Sequence, residues 1–368
     1  MAKSREPQFR IPSFSVHNLV VTCAETMDWS LKEFGIPDLW KKTTGKGVRV
    51  AVLDTGCAVM HPDLVDQVAD AADFTNSKVG PGDTNGHGTH CCGVIAAKKN
   101  DVGIVGIAPD AKLLVGKVLS DSGVGSASGI VAGIEWAVSK KADIISMSFG
   151  SPSSDPRIEK AIKYAASKKV MLIAAAGNEG PGPLTVGFPG RYQEVLSVAA
   201  IDPNRKVAKF SSRGPEVDIA APGVDILSTY PPKNYAKLSG TSMATPFVAG
   251  VVALLLAYDR QRGVKRVENW QNLQTLIKET SFDAGSIGFD NDYGWGLINP
   301  KNLILGSGAA AKQKIKIPNN NEKGIMEIKF SNKDLTAKGQ LKLKQVFGDI
   351  EGITFTFDMS QSKKGKNA

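Results

Sequence analysis

Val50-Ala51-Val52-Leu53-Asp54-Thr55-Gly56 is a run of small and branched apolar residues that ends in a carboxylate and a glycine. A short, continuous apolar run bounded by a turn signal reads as a strand buried on both faces. The same pattern recurs downstream. Val48 to Leu53, Leu113 to Val118, Ile144 to Met147, Val170 to Ala175 and Val195 to Ala199 are expected strands, and Gly129 to Lys140 and Asp155 to Lys168 are expected amphipathic helices between them. Strands alternating with helices imply an α/β protein with a central parallel sheet flanked by helices on both faces. In such sheets functional groups gather at the carboxyl ends of the strands, which is where Asp54 stands.

The 368 residues, 42% hydrophobic and 22% charged, suffice for one large core and leave a remainder. After Leu297-Ile298-Asn299-Pro300 the character changes. Gly306 to Ala311 is small and flexible, and in the Lys-rich stretch beyond it Ile325 to Phe330, Gln340 to Val346 and Ile353 to Phe357 alternate apolar and polar residues, as in a small antiparallel β module. The expected division is an amino-terminal extension over 1–23, a main domain over 24–306, a linker over 307–320 and a basic β-rich module over 321–368.

The net charge is +9, but residues 308–368 alone hold 12 Lys against 6 Asp or Glu, so the first 307 residues are close to balanced. The tail lacks the interleaved aromatic and basic residues of a nucleic-acid surface, and no such partner is expected. The longest apolar run, Phe247 to Tyr258, has 12 residues, short of the roughly 20 that span a bilayer, so no membrane partner is expected either. Arg5, Glu6, Arg10, His17 and Asn18 break every stretch that could be a signal-peptide core, and they weaken Leu19-Val20-Val21-Thr22-Cys23 as a lipoprotein cleavage site. Of the four cysteines, Cys23, Cys57, Cys91 and Cys92, the adjacent pair rarely permits a mutual bridge. Free thiols in a reducing compartment are expected, hence a cytoplasmic protein; secretion by a non-standard route is the alternative.

Three segments carry chemistry only in combination. Asp54 before Gly56 is by itself an ordinary turn former. In Asn85-Gly86-His87-Gly88-Thr89-His90 the glycines let backbone or substrate approach an imidazole suited to act as general base near neutral pH. His87 and His90 lack a third ligand at a recognisable spacing for zinc. Gly240-Thr241-Ser242-Met243-Ala244-Thr245-Pro246 puts a serine at the start of an apolar helix, where it is either a cap or a nucleophile favoured by the helix dipole. The residue two after Ser242 is Ala244, so the Gly-x-Ser-x-Gly of the α/β-hydrolases is absent, and the order Asp, His, Ser is that of subtilisin.

On these three motifs the chain resembles the subtilisin-like serine proteases, from about Trp29 to Pro300, and most resembles the intracellular subtilisins, which share Asp54-Thr55-Gly56-Cys57. The resemblance implies a three-layer subtilisin-like fold and endopeptidase activity of broad specificity on polypeptides. Ser242 would be the nucleophile, His87 the general base and Asp54 its orienting carboxylate. Asn178, in Ala174-Ala175-Ala176-Gly177-Asn178-Glu179-Gly180, would be the oxyanion donor.

The resemblance also places substrate backbone against Gly123, Val124 and Gly125 on one side and Ser148, Phe149 and Gly150 on the other, with Gly150 and Gly187 leaving the pocket before the scissile bond open. Ala127, where relatives often carry an aromatic residue, implies a roomier distant pocket. A structural Ca2+ would take Glu25, Asp63 and Asn100 by their side chains and Lys98, Val102 and Ile104 by their carbonyls; a plain turn at Asn100-Asp101 is the other reading. Phe247 replaces the histidine usual after the nucleophile, Cys91 implies sensitivity to mercurials, and Met243 would be open to oxidation if exposed. Arg10-Ile11-Pro12-Ser13-Phe14 looks like the segment with which intracellular members block their own cleft, so residues 1–23 are expected to inhibit a zymogen, a featureless leader being the alternative. The resemblance leaves the oligomeric state open, with a dimer possible.

Overall fold

The computed structural model describes residues 7–12, 15–20 and 24–306. The expectations for Ser13, Phe14, Cys23, the linker over 307–320 and the module over 321–368 lie outside the described residues. In chain order the elements are β1 (Phe9–Arg10), β2 (Ser15–Val20), α1 (Trp29–Glu33), α2 (Ile36–Trp40), β3 (Arg49–Asp54), β4 (Val68–Asp73), α3 (His87–Ala96), β5 (Lys112–Lys117), β6 (Val124–Gly125), α4 (Ala127–Ser139), β7 (Ile144–Met147), α5 (Pro156–Ser167), β8 (Met171–Ala175), β9 (Val195–Ile201), β10 (Ile219–Pro222), β11 (Ile226–Tyr230), β12 (Asn234–Ser239), α6 (Thr241–Gln261), α7 (Trp270–Thr280) and α8 (Pro300–Leu305).

Seven strands form one parallel sheet in the order β10-β9-β8-β7-β3-β5-β4. Strand β3 lies inside it, with Val50 level with Leu113 on one side and Ile144 on the other. Alternate side chains point to opposite faces. Val50 and Val52 therefore enter the core shared with Phe247, Val248 and Val251 of α6, and Ala51 and Leu53 enter the core shared with Ile130, Ile134, Ile158 and Ile162 of α4 and α5. Both faces are dry, which is why the strand reads as an unbroken apolar run. Truncating a fully buried residue such as Leu53 to Ala would cost about 2–5 kcal/mol.

Helices α4 and α5 start where the sequence places polar caps. Ser126 accepts from Gly129 N, and Asp155 accepts from Arg157 N. Helix α6, which contains the run Phe247 to Tyr258, is long and apolar enough by composition to cross a membrane, but nearly all of it is enclosed against α3 and β7 to β10. It is apolar all round because it is buried all round. Two smaller sheets complete the fold: β11-β12-β2, antiparallel, and β1 paired antiparallel with β6.

Candidate active site

Asp54 is the last residue of β3 and His87 the first of α3. The chain enters α3 through Gly86, at φ 101°, where an added Cβ would fall 2.3 Å from the Tyr230 ring, so only glycine fits beneath it. Asp83 then organises the helix start: Oδ1 accepts from Asn85 N and Gly86 N, and Oδ2 from Thr89 N. Thr55 joins the two halves, its hydroxyl donating to Asp83 Oδ1 at 3.0 Å and accepting from Gly88 N at 2.9 Å. The result is a 2.8 Å contact between His87 Nδ1 and Asp54 Oδ1, and the same carboxyl oxygen accepts from Thr55 N at 2.7 Å.

Ser242 is the second residue of α6, and the cap is Gly240, so the serine is not spent on capping. Its surroundings follow from Pro246. Proline has no N–H to give the carbonyl four residues back, which is that of Ser242. That carbonyl instead accepts from Ser148 Oγ at 3.0 Å and from the Cys91 thiol at 3.5 Å. In return Ser242 Oγ donates to Ser148 O at 3.1 Å. Asn178 is oriented from the same helix start: its Oδ1 accepts from Thr241 N at 3.0 Å and Thr241 Oγ1 at 2.9 Å. Its Nδ2 is thereby turned the other way, and a Cβ on Gly240 would lie 3.1 Å from that nitrogen and 3.7 Å from Ser242 N. Two N–H donors thus border one small space that a side chain at 240 would crowd.

His90, the second histidine of the motif, has a different task. Its Nε2 lies 2.9 Å from Ile226 O and 3.2 Å from Ala236 O, and burial drives its pKa down to about 3, so it is a neutral hydrogen-bond donor tying α3 to the β11-β12 pair.

The residues expected at the substrate are brought together on two facing stretches, and the chain's own amino-terminal segment lies between them. Phe9 pairs with Gly125 and Arg10 with Val124. Arg10 N donates to Gly150 O at 3.0 Å, Gly150 N to Arg10 O at 2.9 Å, and Ile11 N to Gly123 O at 3.1 Å. Phe9 is buried edge-on to Phe149 and joins the apolar cluster that contains Ala127. Gly150 is open: an added Cβ there would meet only Phe188 O, at 3.7 Å. Gly187 packs on Ser151, and its neighbour Phe188 exchanges two backbone hydrogen bonds with that residue.

The six residues expected around a cation also converge. Glu25 Oε2 accepts from Asn100 N at 2.9 Å, Asp63 Oδ2 accepts from Ile104 N at 3.0 Å, and Asn100 Nδ2 donates to Asp63 Oδ1 at 3.2 Å. Among the described residues no hydrogen bond reaches the carbonyls of Lys98, Val102 or Ile104.

Packing bears on two residues of α6. Met243 is buried, being part of the enclosed helix, so the exposure on which its oxidation depended is missing. Phe247 is buried and packs against Phe34 with ring centroids 5.4 Å apart. Sequence reasoning missed Asp83, Thr55 and Thr241 as organisers. An Asp four residues before His87 is the one local cue, since Asx turns begin this way.

The sheet order, the serine at the head of a buried helix and the histidine and carboxylate beside it define a serine-type endopeptidase. Residues 45–296 match the model of the Subtilase family, to which this chain belongs. Among its relatives, the intracellular serine protease of Paenibacillus polymyxa is 49% identical over 226 residues, covering 60% of this chain and 69% of that protein. The major intracellular serine protease of Bacillus subtilis is 42% identical over 259 residues, 68% of this chain and 81% of that one. Subtilisin Savinase of Lederbergia lenta is 42% identical over 279 residues, 75% of this chain and 98% of that one.

Proposed function

We propose that the chain cleaves peptide bonds with broad specificity through Asp54, His87 and Ser242, that it is made as a self-inhibited zymogen, and that it works in the cytoplasm. The contact of His87 Nδ1 with Asp54 Oδ1 carries the reading. It favours the tautomer with its proton on Nδ1 and makes Nε2 the base. Ser242 Oγ leaves Ser148 O, gives its proton to His87 and attacks the scissile carbonyl. The oxyanion is met by Ser242 N–H and the Asn178 amide, at the positive end of α6. His87 returns the proton to the leaving amine, and water repeats the sequence to release the acyl group. The open space beside Gly150 supports a pocket for large side chains.

Zymogen inhibition is supported by β1, which takes backbone hydrogen bonds from both edges that would hold a substrate strand. On this reading residues 1–23 are the inhibitory extension and 24–306 the peptidase domain. A calcium ion would be held by Glu25, Asp63, Asn100 and the carbonyls of Lys98, Val102 and Ile104; it supplies charge that fastens the loop carrying residues 98–104 to the start of the domain. The buried free thiols of Cys57, Cys91 and Cys92 support a reducing compartment.

The test is casein or peptide-anilide hydrolysis by the full chain, by Ser242→Ala and by Arg10→Pro, which deletes the N–H given to Gly150. Ser242→Ala should be inactive and Arg10→Pro more active than the parent at first mixing. Activity in the alanine variant would end the triad reading, and an unchanged lag in Arg10→Pro would end the zymogen reading.

A further inference from the structure

Lys117, the last residue of β5, is level with Asp54 in the neighbouring strand, and its side chain is 0% exposed. Lysine is almost never fully buried unless its charge is matched. Here every proton of the ammonium has an acceptor. Nζ donates to Thr55 O at 2.5 Å, to Asp121 Oδ1 at 2.8 Å and to Gly82 O at 3.0 Å. Three donors and no acceptor is the inventory of an ammonium, so no other side chain of this length would satisfy the pocket.

The three acceptors belong to three different parts of the site. Thr55 follows Asp54, and its N–H holds Asp54 Oδ1 while its hydroxyl holds Gly88 N at the start of α3. Gly82 precedes Asp83, whose Oδ2 accepts from Thr89 N in the first turn of that helix. Asp121 lies in the turn before β6, where its own carbonyl accepts from Asn85 Nδ2 at 3.1 Å, two residues before His87. One buried cation therefore ties together the turn after the carboxylate, the loop before the histidine and the loop that leads into the substrate edge.

We propose that Lys117 is a positioning residue for peptide hydrolysis: it clamps the Asp54-Thr55 turn against the loop before His87 and so keeps the His87–Asp54 hydrogen bond in register. This rests on the triad reading above and adds a residue to it that touches neither the reacting atoms nor the peptide.

The experiment uses the full chain with Lys117→Met and, separately, Asp121→Asn, a change at a half-exposed side chain that leaves the fold in place. The first readout is the far-downfield proton NMR signal of His87 Nδ1–H in a Ser242→Ala background, which needs no turnover. The second is steady-state hydrolysis of a peptide anilide with Ser242 present, normalised to sites titrated by a fluorophosphonate. Lys117→Met should displace or broaden the signal and lower kcat by about ten- to a hundredfold with KM within about twofold. Asp121→Asn should move both readouts the same way by less, and it decides the matter alone if Lys117→Met does not fold. An unmoved signal with kcat within about twofold of the parent in the folded variants, or a rise in KM alone, would overturn the proposal while leaving the triad intact. Failure of the triad would show itself separately, as an active Ser242→Ala parent.

Discussion

His87 Nδ1 and Asp54 Oδ1 meet at 2.8 Å between side chains that are 0% and 1% exposed. Water cannot compete for either partner, so the carboxylate favours one tautomer of the ring. Asp54→Asn should keep the fold and substrate binding but hold the wrong tautomer. Its kcat is expected to fall about 10⁴-fold at nearly constant KM, the size seen when the same change is made in a serine protease triad. A loss under tenfold would mean that His87 is oriented by something else.

Asn178 Oδ1 is held by the start of α6 through Thr241, and its Nδ2 serves the oxyanion on the proposed reading, so its loss should cost far more in chemistry than in stability. Asn178→Ala should lower kcat about 100- to 1000-fold, the figure measured for such a donor in subtilisin itself, and cost about 1–3 kcal/mol of stability through the donors of Thr241 that lose their acceptor. Equal losses in kcat/KM and stability would recast Asn178 as a structural residue.

The cluster of Glu25, Asp63 and Asn100 should respond to calcium. Chelation is expected to lower the melting temperature by about 5 °C or more, read by calorimetry on Ser242→Ala, and excess calcium should restore it. In Asp63→Asn the two curves should coincide. Identical curves in the parent would identify the loop as a plain hydrogen-bonded turn.

Burial lifts the carboxyl of Asp218 to about 7, against the smaller opposing effect of hydrogen bonds from Ser197 N and Gln274 Nε2. Between about pH 4 and 7 the unfolded chain has released this proton and the folded one still holds it, so stability falls as pH rises through that window. Asp218→Asn removes the penalty. In a Ser242→Ala background its denaturation free energy relative to the parent should improve by about 1–2 kcal/mol from pH 4 to pH 8, a figure kept low because Asp218 retains some exposure. A pH-independent difference would show that the carboxyl is already ionised at pH 4.

The Cys91 thiol lies 4.0 Å from His87 Nδ1, and burial pushes its pKa well above the ordinary range. It stays protonated and should alkylate slowly with iodoacetamide. A mercuric ion that displaces the proton would sit where ligand atoms of Asp54, His87 and Cys91 all lie within 4.8 Å of one another. Mercuric chloride should inactivate the parent and spare Cys91→Ser; equal inactivation would point to another thiol.

The strands β3, β5, β7, β8 and β9 were legible because burial on both faces forces an unbroken apolar run. Strand β4, Val-Ala-Asp-Ala-Ala-Asp, was not, since at the sheet edge it is only half buried and its aspartates erase the pattern. The β2-β12 pairing left no trace either, because it is built from backbone groups that every residue carries. At the candidate site, Asp54, His87 and Ser242 stand out in the sequence because the chemistry proposed for them demands particular side chains. Lys117 does not: its partners include two main-chain carbonyls, and in sequence it is one more lysine at the end of an apolar strand. Pro246 is an intermediate case. Its position was plain, but that it would release the Ser242 carbonyl to Ser148 and Cys91 required the geometry.

Strand β1 belongs to the same polypeptide as the edges it pairs with, and this changes the arithmetic of competition. A tethered segment faces its site at an effective concentration in the millimolar range, whatever the dilution of the protein. On the proposed reading, a few backbone hydrogen bonds and Phe9 are then enough to outcompete an incoming peptide. Once the tether is cut, the same contacts are worth only the micromolar concentration of the free fragment, and dilution empties the cleft. On the same reading the segment would be a strong inhibitor by connectivity and a weak one by affinity, and a single hydrolysis would in practice be irreversible.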